Sequence, residues 1–138
     1  MATRASRPFS NPRERVFRRA SALVVDGDRA LPDAVEVPAC SVDREEFRAA
    51  EDVLDLQRWP TYTLVLWMRV NDLPPSVASA EGQSYDWKLE DLPEEDNEAH
   101  CEVRLVKRGE QFSKKKPKSS VAREEAKKLL AERMRVLR

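Results

Sequence analysis

The chain has 138 residues, 41% of them hydrophobic and 36% charged, with 25 Lys and Arg balanced by 25 Asp and Glu. That is enough chain for one core but not two, and the charge content is well above the roughly 25% usual in globular domains. No apolar run approaches the ~18 residues of a membrane-spanning helix, the N-terminal run Ala22-Leu23-Val24-Val25 is too short for a signal peptide, and two cysteines are too few to staple a secreted scaffold.

The expected compartment is therefore the cytoplasm, without a membrane partner. The zero net charge conceals strong segregation. Residues 1–20 hold six arginines and one acid, net +5; residues 21–103 hold six basic and 20 acidic residues, net −14; residues 104–138 hold 13 basic and four acidic residues, net +9. Such asymmetry points to interaction arms or to self-neutralisation.

In chain order, residues 1–15 carry Pro8, Pro12 and four arginines and are expected to form a flexible basic arm. Residues 16–25 read as extended, and Asp26-Gly27 is a turn dipeptide suited to a hairpin. Residues 33–37, bracketed by Pro32 and Pro38, alternate as a short edge strand. Residues 41–52 predict a helix of two to three turns, with Ser41 or Asp43 as cap and Glu45 and Glu46 in the first turn. Pro60 closes that region.

Residues 61–70 predict the best strand. Tyr62, Leu64, Leu66, Met68 and Val70 form an apolar face, opposed by a mixed face of Thr61, Thr63, Val65, Trp67 and Arg69. After Pro74-Pro75 and a polar loop, Tyr85, Trp87 and Leu89 alternate with polar residues in a further strand. An acidic loop covers residues 90–98. Residues 99–107 then place Ala99, Cys101, Val103, Leu105 and Lys107 on one face and His100, Glu102, Arg104 and Val106 on the other. A Lys-rich linker spans residues 113–120. Residues 121–138 predict a basic amphipathic helix with Ala122, Ala126, Leu129, Leu130, Val136 and Leu137 on its apolar arc.

The expected fold is α+β: a small, mainly antiparallel sheet of four or five strands with one short helix and a C-terminal amphipathic helix. Its parts are the arm 1–15, an acidic β-rich domain 16–112, the linker 113–120 and the helix 121–138.

Little in the sequence specifies chemistry. His100 adjoins Cys101, but neighbouring strand residues point to opposite faces, which argues against a Cys-His dyad. Three Cys and His residues without a C-x-x-C cannot build a zinc site, and the acidic loop lacks the glycine pattern of a calcium loop. Gly27, Gly82 and Gly109 are too dispersed to cradle a phosphate. Neither metal nor cofactor is expected.

A polar cluster of His100, Glu102 and Arg104 would form a site if Ser41, Asp43 and Arg44 converged on it. Three function classes follow, in this order. The first is a non-enzymatic accessory or adaptor subunit that binds a partner protein through its sheet and C-terminal helix. The second is a nucleic-acid binder using its basic ends, and the third is a small enzyme around His100. The candidate binding residues for the first two are Lys114, Lys115, Lys116, Lys118, Arg123, Lys127, Lys128 and Arg135.

Overall fold

The computed structural model describes residues 3–79, 81–115, 117 and 120–138. Alternation of apolar and polar residues builds the long strands: β1 (Arg15–Ala20), β4 (Ala39–Arg44), β5 (Leu64–Arg69), β7 (Ser84–Asp91) and β8 (His100–Lys107). Four two-residue strands complete the set: β2 (Val25–Asp26), β3 (Arg29–Ala30), β6 (Val77–Ala78) and β9 (Arg135–Val136). All belong to one sheet in the order β2-β3-β9-β5-β1-β4-β8-β7-β6, with every pairing antiparallel. The single α-helix among the described residues, α1, spans Ser120–Arg133.

Nine strands overturn the expected sheet of four or five. Two residues are too few to display a period of two, so β2, β3, β6 and β9 leave almost no pattern. The Asp26-Gly27 signal marks the β2-β3 hairpin, where Asp26 pairs with Arg29 and Gly27 takes φ 59°.

The short helix expected over residues 41–52 is absent. Its first residues are instead β4, with Cys40 and Val42 in the core, and only a 3-10 turn forms at Ala50–Asp52. The carboxylates that resembled a helix first turn serve tertiary partners: Glu45 accepts from Arg15, and Glu46 from Arg7 as well as from its neighbour Arg44. Residues 33–37 form no edge strand either. A 3-10 turn covers Pro32–Ala34, and Ala34, Val35 and Val37 are buried. The C-terminal helix stops at Arg133, and Val136, expected on its apolar arc, enters the core from β9 beside Leu66.

The inner face of the sheet holds the main core, including Val16, Val42, Leu66, Met68, Cys101 and Val103. α1 covers this face through Ala122, Ala126, Leu130 and Ala131. It touches β3 near one edge of the sheet and β6 at the other, so the sheet wraps around the helix. Three alanines on the buried side let the backbone approach closely. On the outer face, Phe17, Val53 and Val65 form a smaller apolar cluster with Trp67 and Leu137 at its margin.

The charge blocks largely neutralise one another. Arg44, fully buried on the inner face, forks onto Glu14 at 2.9 and 3.1 Å and lies 3.3 Å from Asp91. Its Nη1 also donates to the Arg7 carbonyl at 2.7 Å, and Phe9 stacks on it at 3.8 Å. Arg4 grips Asp91 with two bonds of 2.7 and 2.8 Å. At the other end, Lys127 meets Asp33 and Arg138 meets Asp28.

Where β7 approaches the end of β8, Arg108 donates from Nε and Nη2 to Asp86 at 3.0 and 2.8 Å, and Ser76 adds a bond of 2.8 Å. The Arg108 fork, helped by Ser76, lowers the Asp86 carboxyl to about 2. A carboxyl-detected NMR titration should find that midpoint in the intact protein. In Arg108→Ala it should return toward 3.8, the ordinary value. An unchanged midpoint would mean the fork does not persist in solution.

Candidate functional site

β4 and β8 pair with Asp43 opposite His100 and Ser41 opposite Glu102. Phe17 of β1 lies across from Asp43 on the other side. The register therefore brings Ser41, Asp43, His100 and Glu102 onto the outer face, together with Arg104, whose Nε donates to Glu102 at 2.9 Å. Arg44, grouped with them on sequence grounds, points to the inner face instead.

Two loops rise around this floor, one carrying Arg58, Trp59 and Tyr62 and the other Glu94, Asp96 and Asn97. Together they enclose a pocket of about 310 Å³.

Asp43 organises the floor. It is buried, accepts from Asn97 at 2.9 Å and from Arg19 at 3.3 Å, and lies 3.2 Å from Arg48. Arg48 in turn donates to Asn97 at 2.9 Å, closing the network. Burial lowers the Arg19 pKa from its ordinary value; Asp43 works in the opposite direction, while Arg48 and Arg58 add repulsion. The Nε of Arg19 has no hydrogen-bond partner among the described residues.

The wall is aromatic. Two guanidiniums stack on Trp59, Arg19 at 4.2 Å and Arg58 at 4.4 Å from its ring. Leu56 is 57% exposed and Tyr62 is 40% exposed. Tyr62 was expected in the core, but β5 begins only at Leu64, which leaves the tyrosine on the loop.

His100 lies 3.7 Å from Glu94 and 3.8 Å from Glu102. No hydroxyl or thiol among the described residues is hydrogen-bonded to its ring. Cys101 faces the core, fully buried, and burial pushes its thiol well above the usual value; Cys40 is raised for the same reason. Both thiols are buried and face away from His100. Among the described residues no group of His, Cys, Asp and Glu is placed to hold a metal ion, and no helix is long and apolar enough to cross a membrane.

The basic residues singled out in the tail do not form one surface. Lys114, Arg123 and Lys127 line a cleft of about 620 Å³ shared with Glu36, Glu102 and Glu124. Arg123 donates to the Pro117 carbonyl at 2.6 Å. Lys115 borders a separate cavity of about 340 Å³ floored by Tyr85 and Leu105. Lys128 is exposed on α1, and Arg135 lies on β9 opposite Trp67. Lys116 and Lys118 lie outside the described residues.

Sequence reasoning passed over Arg19, Arg58, Trp59 and Asn97. The one available signal is Arg58-Trp59-Pro60, a basic-aromatic triplet inside an acidic body. No family model, curated protein or solved structure matches this chain.

Proposed function

We propose that the chain is a non-enzymatic accessory or adaptor subunit that binds a partner protein through the outer face of its sheet, at Leu56, Arg58, Trp59 and Tyr62. One observation carries the reading. Trp59 carries two stacked arginines in a loop that also exposes Leu56 and Tyr62, and Trp, Tyr and Arg are the residues that dominate binding energy at protein interfaces. A tryptophan held in one orientation loses little entropy on docking. The helix plays a different part from the one its sequence suggests: its apolar arc is occupied by the chain's own sheet, so α1 supports the contact from behind. Two free, buried thiols suit a reducing compartment, and the cytoplasm is the location we propose.

A photo-crosslinking amino acid placed at position 56 in the native host tests this. The expected result is one adduct of reproducible mass, missing when the probe sits at position 128. With the partner identified, Trp59→Ala should weaken binding by about 2 kcal/mol or more, roughly 30-fold, without lowering the melting temperature appreciably. Identical adducts from both positions, or none from position 56, would defeat the proposal.

A further inference from the structure

Most arginines in this structure hold a carboxylate: Arg4, Arg15, Arg44, Arg104 and Arg138 are examples. Arg13, Arg29, Arg69, Arg133 and Arg135 hold none among the described residues, and these five are not scattered. Arg29 and Arg135 face each other across β3 and β9. Arg135 is opposite Trp67 on β5. Arg69 lies two residues beyond Trp67 on the same strand face and donates from Nη1 to the Arg13 carbonyl at 2.7 Å. Arg133, the last residue of α1, is separated from β9 by Met134 alone.

Unpaired guanidiniums thus converge on one quarter of the molecule, around a partly exposed indole. The Trp67 ring has Arg69 at 5.5 Å and Arg15 at 5.9 Å. Like charges directly opposite on neighbouring strands destabilise a sheet. In a chain with as many acids as bases, Arg29 and Arg135 face each other with Asp26, opposite Arg29 on β2 but not ion-paired to it, as the one acid in their cross-strand row, and the remaining repulsion is a cost that a bound anion would relieve.

We propose that this patch binds single-stranded nucleic acid, the guanidiniums taking phosphates and Trp67 stacking on a base. Guanidinium forks match phosphate oxygens in a planar, two-point geometry. An aromatic ring set among them is the arrangement by which strands are held without sequence preference. The patch adjoins the Trp59 pocket on the outer face, Trp67 being the strand neighbour of Phe17, but none of its residues lines that pocket and its assignment does not depend on the protein partner. It also differs from the lysine-rich tail, where Lys114 and Lys127 share their cleft with glutamates.

Fluorescence anisotropy on the full chain with labelled oligouridylate and oligodeoxythymidylate of about 20 nucleotides is the test, at about 50 mM salt, where phosphate contacts are strongest. Binding is expected, with log K falling against log salt at a slope near about −3, since each phosphate on a single strand contributes about −0.7. The double variant Arg29→Glu/Arg135→Glu should bind at least about tenfold more weakly with a shallower slope, whereas Lys114→Glu/Lys115→Glu should bind like the parent. Oligonucleotide should quench part of the tryptophan fluorescence, and that quenching should be lost in Trp67→Phe but kept in Trp59→Phe. No anisotropy change at low salt, unaltered affinity in the double arginine variant, equal affinity for a duplex of the same length, or equal competition by polyglutamate would each overturn the proposal.

Discussion

Replacing Arg44 with Met should destabilise the protein by about 3–5 kcal/mol, the usual penalty when one member of a buried ionic group is removed and its partners stay behind. Methionine nearly preserves the volume, so the loss is not a cavity effect. It arises because Glu14 and Asp91, both buried, would keep their charges without the guanidinium between them. Desolvation opposes the charge on Arg44, but its bonds to Glu14 and Asp91 more than compensate, and its pKa is raised. Urea denaturation followed by circular dichroism measures the change in midpoint. A loss below about 1 kcal/mol would show that residues 4–14 swing away and let water reach the carboxylates.

The same network sets the response to acid. Burial alone would raise the Asp91 carboxyl, but the Arg4 fork, the Arg7 amide and Arg44 outweigh it and hold the group below the ordinary 3.8. Glu45 is likewise held below 4.5, chiefly by its bond from Arg15. A carboxylate depressed in the folded state binds more protons when unfolded, so its contribution is complete above the ordinary value. It is then lost as the pH falls through the folded one. Stability should be level from neutrality down to about pH 5 and decline below it. The decline should be shallower in Arg4→Gln, which removes the strongest bonds to Asp91.

The strands β5, β7 and β8 were readable because their alternation is unbroken: Cys101, Val103 and Leu105 of β8 and Leu66 and Met68 of β5 are all core residues. The faces of β8 were also readable, because strand alternation alone separates His100 from Cys101. Segments whose structure depends on distant partners were not readable. Ser41 to Glu46 has a good helical first turn locally, and pairing with β8 and β1, with Arg7 and Arg15 taking its carboxylates, makes it a strand end. β9 is two residues long and exists because β3 and β5 leave a gap for it. The candidate site failed to show for a related reason. Arg19, Asp43, Trp59 and Asn97 come from four separate segments, and nothing in the spacing of one predicts contact with another.

The second large effect concerns α1. Leu130 is fully buried where the helix crosses the inner face, in one cluster with Leu66, Met68 and Met134. Leu130→Ala should cost about 2–5 kcal/mol, and the upper half of that range is expected because its helical neighbours Ala126 and Ala131 are too small to fill the space. A melting curve broadened as well as shifted would indicate that the sheet loosens around the helix. Ending the chain at residue 112 carries the argument to its limit. That deletion removes α1 and also β9, the strand that joins the β2-β3 hairpin to β5. The inner face would lose its cover and one edge of the sheet would lose its attachment, so the truncated chain should show no cooperative unfolding transition. A sharp transition in that fragment would mean residues 113–138 are an appendage to a self-sufficient sheet. Its absence would mean the lysine-rich tail is the last piece of the core, and that a basic, apparently detachable end is what holds the β2-β3 edge to the rest of the sheet.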